Sequence, residues 1–260
     1  MTQIIALFGR HAKSAIVNES KLDAVDERYI SEVDTLAEEA TALMQPVEEL
    51  VLFDTGLQRS RQTGQRFAEN YHAKVHGSSV TFSPLADIKS GSASTRLTGE
   101  YVDGFSYADF MKVFFRVFYE NVRKGTHNPY EATVSDLHQQ YGVEASHQNI
   151  ERQALSGSKW LLETLVRTDD RGQIVASAIF GHGPGCDIVQ ATFGPEIAEY
   201  LSFRGGTPEA HFAGIYTLET DHGKIIKATL SMNKELFDVN PETIIAHAAK
   251  YDQLVSGALK

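Results

Sequence analysis

The chain has 260 residues, of which 42% are hydrophobic and 22% charged, the balance of a globular protein with a substantial core and not of a disordered one. Its formal charge of −10, from 24 basic and 34 acidic side chains, gives no electrostatic basis for binding nucleic acid, because such binding depends on neutralising phosphates. Cys186 is the only cysteine, which excludes an internal disulfide and a thiolate metal cage built within one chain.

The first residues do not have the pattern of a targeting segment. Met1 leads directly into TQIIALF, without a positively charged region or a small-residue cleavage site. No segment approaches the ~18 consecutive apolar residues of a membrane span. We therefore expect a cytoplasmic protein with no membrane partner.

Three short apolar runs predict strands that are buried on both faces, at residues 3–8, 49–53 and 174–180. Continuous β-branched and aromatic runs without polar alternation are typical of the central strands of a parallel sheet. Helical patterns lie between them, near residues 29–44, in RQTGQRFAENY after the second run, and in SGSKWLLETLV before the third. This alternation predicts an α/β fold with a doubly wound, mostly parallel central sheet flanked by helices.

The C-terminal part of the chain has a different pattern. HFAGIYTLETDHGKIIKATLSMN predicts a hairpin with its turn at DHG, which we expect to end the sheet, and a closing helix follows at residues 241–255. Between about residues 90 and 153 the composition changes, and we interpret this region as a cap-like insertion. The predicted organisation is a single domain over residues 1–260 that carries this insertion.

Each predicted central strand is followed by a polar set. Arg10 and His11 follow the first strand, Arg59 and Arg61 follow the second, and His182 follows the third. Singly, each has an ordinary structural explanation, such as an exposed helix face, but the same chemistry recurs after three strands. Ligands of open α/β sheets bind outside the carboxyl ends of the strands, so we expect these side chains to share one pocket. Guanidinium groups bind phosphate bidentately and a neutral imidazole can attack phosphorus, which indicates phosphate chemistry.

The motifs that contain these residues resemble those of the histidine phosphatase superfamily, also called phosphoglycerate mutase-like. RHA at residues 10–12 is similar to its Arg-His-Gly signature, and the longer RHAKS looks like that of short bacterial phosphohistidine phosphatases. TGLQRSRQTG at residues 55–64 follows the second signature in register and places its phosphate-binding arginine at Arg59.

Two further motifs complete the resemblance. LADI at residues 85–88 resembles the pattern of the superfamily's general acid and places Asp87 where glutamate is usual. His182 and the following glycine resemble the last signature. The four motifs arrive in the superfamily's order over residues 4–190, and only their combination is specific.

The resemblance implies a phosphatase that forms a phosphohistidine. His11 would be the nucleophile, and Arg10, Arg59 and His182 would bind the equatorial phosphate oxygens. His182 and Asp87 would complete the catalytic set, with Asp87 protonating the leaving oxygen and then activating water. No metal and no cofactor are implied, because fixed cations already stabilise the transferred group. The implied partner is a small phosphorylated substrate.

Two other functions remain open. A phosphoglycerate-type mutase belongs to the same superfamily, but the insertion supplies few basic residues to seat a substrate carboxylate. A phospholigand-binding protein would retain the pocket without turnover, and aspartate at position 87 is compatible with that.

The insertion also contains a phenylalanine-rich stretch at residues 107–122, with two interpretations. The simpler one is a helix packed on the core. The other is a lid over the pocket or the face of a homodimer, because its apolar residues spread beyond a single stripe.

Overall fold

The structure is a computed structural model. It describes residues 2–10, 14–17, 20–27, 30–43, 49–54, 58–74, 79–84, 107–142, 147–171, 175–181, 189–204, 213–232 and 234–256. The strands in these residues are β1 Thr2–Arg10, β2 Ser14–Val17, β3 Ser20–Val25, β4 Glu49–Asp54, β5 Ser79–Pro84, β6 Val175–Gly181, β7 Ala213–Asp221, β8 Lys224–Met232 and β9 Glu235–Val239. The helices are α1 Ile30–Leu43, α2 Gln58–Lys74, α3 Tyr107–Arg123, α4 Pro129–Tyr141, α5 His147–Arg171, α6 Pro195–Arg204 and α7 Pro241–Val255.

The main sheet has seven strands in the order β5-β4-β6-β1-β7-β8-β9, and β2 and β3 form a separate hairpin. Strands β5, β4, β6 and β1 pair in parallel, whereas β1–β7, β7–β8 and β8–β9 pair antiparallel. The α/β class is confirmed, but the prediction of a mostly parallel sheet is wrong, since half of the pairings are antiparallel. The physical reason lies in the short connections of β7 to β8 and of β8 to β9, which can only join antiparallel strands.

Helices cover both faces of the parallel half. Alternate β1 side chains contribute to two separate clusters, with Ile4 and Ala6 in one and Ile5 and Leu7 in the other. The two-helix core, formed with α1 and α2, contains Ile5, Leu7, Val33, Leu36, Ala37, Ala40, Leu50, Leu52, Phe67, Ala68, Tyr71 and Ile215. The five-helix core, formed with α3 to α7, includes Ile4, Ala6, Val51, Phe115, Leu137, Trp160, Leu201 and Ile244.

The phenylalanine-rich stretch forms α3, and its described aromatic side chains pack into the five-helix core. Phe114, Phe115 and Phe118 are buried, and the ring of Phe118 lies 5.2 Å from that of Tyr130 on α4. The core interpretation is therefore confirmed for these side chains. The insertion itself stays a prediction, and its expected end at residue 153 falls within α5.

The C-terminal hairpin is confirmed, with β7 and β8 joined at His222 and Gly223. Both residues have positive φ, 47° and 74°, as a two-residue hairpin turn requires. Helix α7 has the predicted bounds. The expectation that the hairpin ends the sheet is wrong, because β9 pairs with β8 from Met232 opposite Glu235. Its sequence, ELFDV, is too short and too acidic to show a strand pattern.

Helices α5 and α7 are joined by two ion pairs of different burial. Lys250 pairs with Glu151, whose side chain is only 5% exposed, while Lys159 Nζ lies 2.8 Å from the largely exposed Asp252 Oδ2. His247 lies one turn before Lys250, with its ring centroid 6.3 Å from that of Phe193. Among the described residues, its buried Nδ1 has no hydrogen-bond partner. Burial, and then the nearby Lys250 charge, lower the pKa of His247 from 6.5 to about 4.

None of the described helices is both long and apolar enough to cross a bilayer.

We expect the free energy of unfolding to fall as the pH drops from 6.5 to 4, because the unfolded chain protonates His247 in this window and the folded chain does not. The loss attributable to this residue is about 3 kcal/mol at pH 4. Urea unfolding across this pH range measures it. His247→Gln should flatten the dependence, whereas His222→Gln, at a side chain that is 95% exposed, should leave it unchanged. Parallel pH profiles for the wild type and His247→Gln would contradict the assignment.

Candidate functional site

The carboxyl ends of the four parallel strands lie side by side at one edge of the sheet. Arg10, the last residue of β1, pairs with Gly181, the last residue of β6. Asp54, the last residue of β4, pairs with Phe180 on one side and with Pro84, the end of β5, on the other. Since neighbouring strands are about 4.8 Å apart, the ends of β1, β6 and β4 lie within roughly 10 Å of one another.

The connections of the chain have the topology for which a crevice is expected at this edge. After β1 and β4 the chain continues to α1 and α2 on the two-helix core, and after β6 it continues to α6 on the five-helix core. Strand β6 lies between β1 and β4, so neighbouring strands send their following helices to opposite faces. Such a switch point is where open α/β sheets bind ligands, outside the carboxyl ends of the strands.

Helix α2 brings the second motif to the same region. It begins at Gln58, four residues after β4 ends, and packs on β3, β4 and β6. Arg59, its second residue, is half-buried, whereas Arg61 is exposed. The Thr63 hydroxyl is fully buried and donates a 2.8 Å hydrogen bond to the carbonyl oxygen of Arg59. The first turn of α2 is therefore held by its own side chains as well as by the core.

The middle of α2 is fixed to α1 by an ion pair. Arg66 donates two hydrogen bonds to Asp34 on α1, from Nε at 2.7 Å and from Nη2 at 2.8 Å, and Asn70 donates to the same carboxylate. The hydrogen bond and the charge of Asp34 raise the pKa of Arg66. A bidentate pair of this kind fixes orientation as well as distance, so α2 has a defined rotation over the sheet.

The described residues place part of the predicted site. Arg10 occupies the last position of β1, and the half-buried Arg59 occupies the first turn of α2. His11, Asp87 and His182 lie outside the described residues, directly or shortly after the ends of β1, β5 and β6. Their convergence on one pocket with Arg10 and Arg59 remains a prediction.

Sequence reasoning did not assign roles to two residues of the second motif. Gln62 Oε1 accepts a 2.9 Å hydrogen bond from the backbone N–H of Val25, at the end of β3, and Thr63 bonds back to Arg59. The bond of Thr63 was recognisable, because a threonine four residues after a helical residue commonly donates to that residue's carbonyl. The bond of Gln62 was not, because Val25 is distant in sequence.

The described part of the chain contains no cluster of three or more His, Cys, Asp or Glu side chains that could hold a metal ion.

Comparison with known proteins gives structural matches only. No protein-family model matches the sequence. No curated protein matches it either. Solved structures do match, among them one named as the phosphohistidine phosphatase SixA from Agrobacterium tumefaciens, at 14% identity and a TM-score of 0.36, covering 91% of this chain and 97% of that one.

Two further structural matches have similarly low sequence identities and TM-scores. The phytase from D. castellii is 11% identical with a TM-score of 0.45, covering 95% of this chain and 78% of that one. Phosphoglycerate mutase from Plasmodium falciparum is 10% identical with a TM-score of 0.33, covering 92% and 97%. These proteins are members of the histidine phosphatase superfamily. Since all three TM-scores are below 0.5, no residue role or substrate is transferred from these proteins.

The different burial of Arg59 and Arg61 generates a matched test. If Arg59 binds phosphate as the motif predicts, Arg59→Gln should weaken binding of inorganic phosphate by about tenfold or more, because it would remove a charge-assisted hydrogen bond at a half-buried position. Arg61→Gln removes the same charge from an exposed position and should change the dissociation constant less than about twofold. Calorimetric titration with phosphate measures both. Equal effects of the two substitutions would contradict the assignment of Arg59.

Proposed function

We propose that this protein is a phosphomonoesterase that hydrolyses a small organic phosphate ester through a phosphohistidine on His11. The observation that supports this most is the parallel pairing of β1 with β6, in which Arg10 lies opposite Gly181. Each of these residues directly precedes a histidine of the motifs, His11 and His182. Two imidazoles and the Arg10 guanidinium can then meet at the crevice beside the first turn of α2, which carries Arg59.

In the first step, a neutral ring nitrogen of His11 attacks phosphorus, and the bond from phosphorus to the ester oxygen breaks. The electron pair of that bond leaves with the oxygen, which takes a proton from Asp87. Arg10, Arg59 and His182 bind the three equatorial oxygens, where charge concentrates as the phosphoryl group moves. Fixed cations in a crevice do this without reorganisation at the moment of reaction.

In the second step, the Asp87 carboxylate takes a proton from water, and the water oxygen attacks the phosphoryl group on His11. The bond from nitrogen to phosphorus breaks, inorganic phosphate leaves, and both His11 and Asp87 return to their starting protonation states. Asp87 is one methylene shorter than glutamate and therefore reaches less far towards the leaving oxygen. Esters whose leaving group needs little protonation are therefore the better substrates.

Replacing the proposed nucleophile provides the main test. His11→Ala should lower turnover of an aryl phosphate by about a thousandfold or more, because it removes the group that receives the phosphoryl moiety. Wild type quenched during turnover should carry an acid-labile, alkali-stable phosphate that is absent from His11→Ala. His127→Ala, at an exposed histidine between α3 and α4, is the matched control and should behave as wild type.

The same assay separates the alternatives. Equal and negligible rates for wild type and His11→Ala would overturn the hydrolase and favour a phospholigand-binding protein. Transfer of the phosphoryl group to a second hydroxyl, without release of phosphate, would favour the mutase.

The role of Asp87 predicts a dependence on the leaving group. Asp87→Asn should lower kcat/KM, which reports the step in which the leaving group departs, by about a hundredfold or more for an alkyl phosphate, because the poor leaving group needs a proton. For 4-nitrophenyl phosphate, whose leaving group departs unprotonated, the loss should be below about tenfold. Steady-state rates with both substrates measure the difference within one variant. A loss of equal size for both substrates would show that Asp87 is not the acid.

A further inference from the structure

One long-range hydrogen bond joins the segment after the first motif to the second motif. The backbone N–H of Val25, the last residue of β3, donates to Oε1 of Gln62 on α2 at 2.9 Å. The two residues are 37 positions apart in the sequence. The donor belongs to the β2–β3 hairpin, which follows β1, and the acceptor lies in the first turns of α2.

The donor, Val25, is connected to His11 through the register of the hairpin and the chain sequence. Val25 pairs with Ser14, the first residue of β2, in the antiparallel register of the hairpin. Ser14 is three residues after His11 in the sequence. The side chain of Val25 also packs against the two-helix core, so the end of β3 is fixed by an apolar contact as well as by the hydrogen bond.

The acceptor side leads to Arg59. Residues three apart on a helix are neighbours on one face, with Cβ atoms about 5–6 Å apart, so Gln62 lies beside Arg59. The buried Thr63 hydroxyl holds the carbonyl of Arg59, and Gln62 itself is half-buried. A displacement of this turn would therefore move Gln62 and Arg59 together.

The hairpin needs an anchor of this kind. Strand β2 has four residues, and the register shifts between Ser14 and Ile16. In the described residues β2 and β3 form a sheet of two strands, and such a hairpin is marginally stable by itself in water. Contacts to α2 must therefore stabilise the hairpin, and Gln62 makes the contact to its backbone at Val25.

We propose that Gln62 is a positioning residue that holds the β2–β3 hairpin, and with it the segment carrying His11, at a fixed distance from Arg59 on α2. This role rests on the proposed phosphatase function of His11. Gln62 contacts the backbone of Val25 and acts on the reaction through the position of the nucleophile. Loss of the bond misplaces the attacking nitrogen, while the cations that bind the substrate remain.

Three variants test the proposal. Gln62→Met keeps the length of the side chain and removes the acceptor, and Gln62→Glu keeps an oxygen acceptor at the same position. Gln65→Met is the matched control, because it makes the same change at an exposed residue of the same helix. Backbone amide exchange of Val25, followed by NMR, and the steady-state kcat and KM for 4-nitrophenyl phosphate are measured for each variant.

In Gln62→Met, exchange of the Val25 amide should accelerate about tenfold or more, and kcat should fall about tenfold with KM within about twofold of wild type. Gln62→Glu should restore slow exchange and recover kcat relative to Gln62→Met. Gln65→Met should match wild type in all measurements. A merely destabilised protein would instead show faster amide exchange throughout α2. Acceleration of the same size at Val25 and along all of α2 would therefore overturn the proposal.

The outcomes for this residue and for the proposed function are distinct. Unchanged Val25 exchange, or unchanged kcat, in Gln62→Met of an active enzyme overturns the role of Gln62 and leaves the phosphatase intact. A wild-type protein without turnover overturns the phosphatase and, with it, the positioning role, whereas the hydrogen bond is still measured by the exchange of the Val25 amide.

Discussion

The parallel pairing of β1 with β6 is the constraint on which the candidate site depends. It brings together two segments more than half the chain apart and ends them at the same level, with Arg10 opposite Gly181. A shift of two residues along the pair would separate the strand ends by about 7 Å, more than a hydrogen-bonded phosphate site tolerates. A shift of one residue would turn Ile4 and Ile5 to the wrong cores. The packing of alternate β1 side chains into the two cores therefore fixes the level at which the strand ends meet.

Helix α2 couples this edge of the sheet to the rest of the two-helix core. One of its faces carries Phe67 and Tyr71 into the core, and the Arg66–Asp34 pair fixes it to α1. Its first two turns carry Arg59 and bind the β2–β3 hairpin through Gln62. Packing, charge and hydrogen bonding thus act on different turns of one helix, and all three restrict how the first turn can move relative to the strand ends.

The sequence predicted the elements whose signals are local and periodic. The three apolar runs became β1, β4 and β6, and the positive-φ turn at Gly223 and helix α7 lie where DHG and the closing helix were expected. It did not predict β9, which is a strand because it pairs with β8 and not because its own residues have a strand pattern. It also overestimated how much of the sheet is parallel. At the site, motifs predicted roles for Arg10 and Arg59, but the bond of Gln62 to Val25 depends on tertiary approach, which no local spacing encodes.

The acidic residues that hid the strand pattern of β9 also affect how this edge of the sheet meets other molecules. Within the described residues β9 is the last strand of the sheet, so one row of its backbone groups faces outward, beside an exposed Leu236. An exposed edge strand of this kind can pair with the same edge strand of another molecule. Glu235 and Asp238 are exposed there, and two molecules approaching through this strand would bring like charges together. The like charges of Glu235 and Asp238 therefore oppose the pairing of two molecules through this strand.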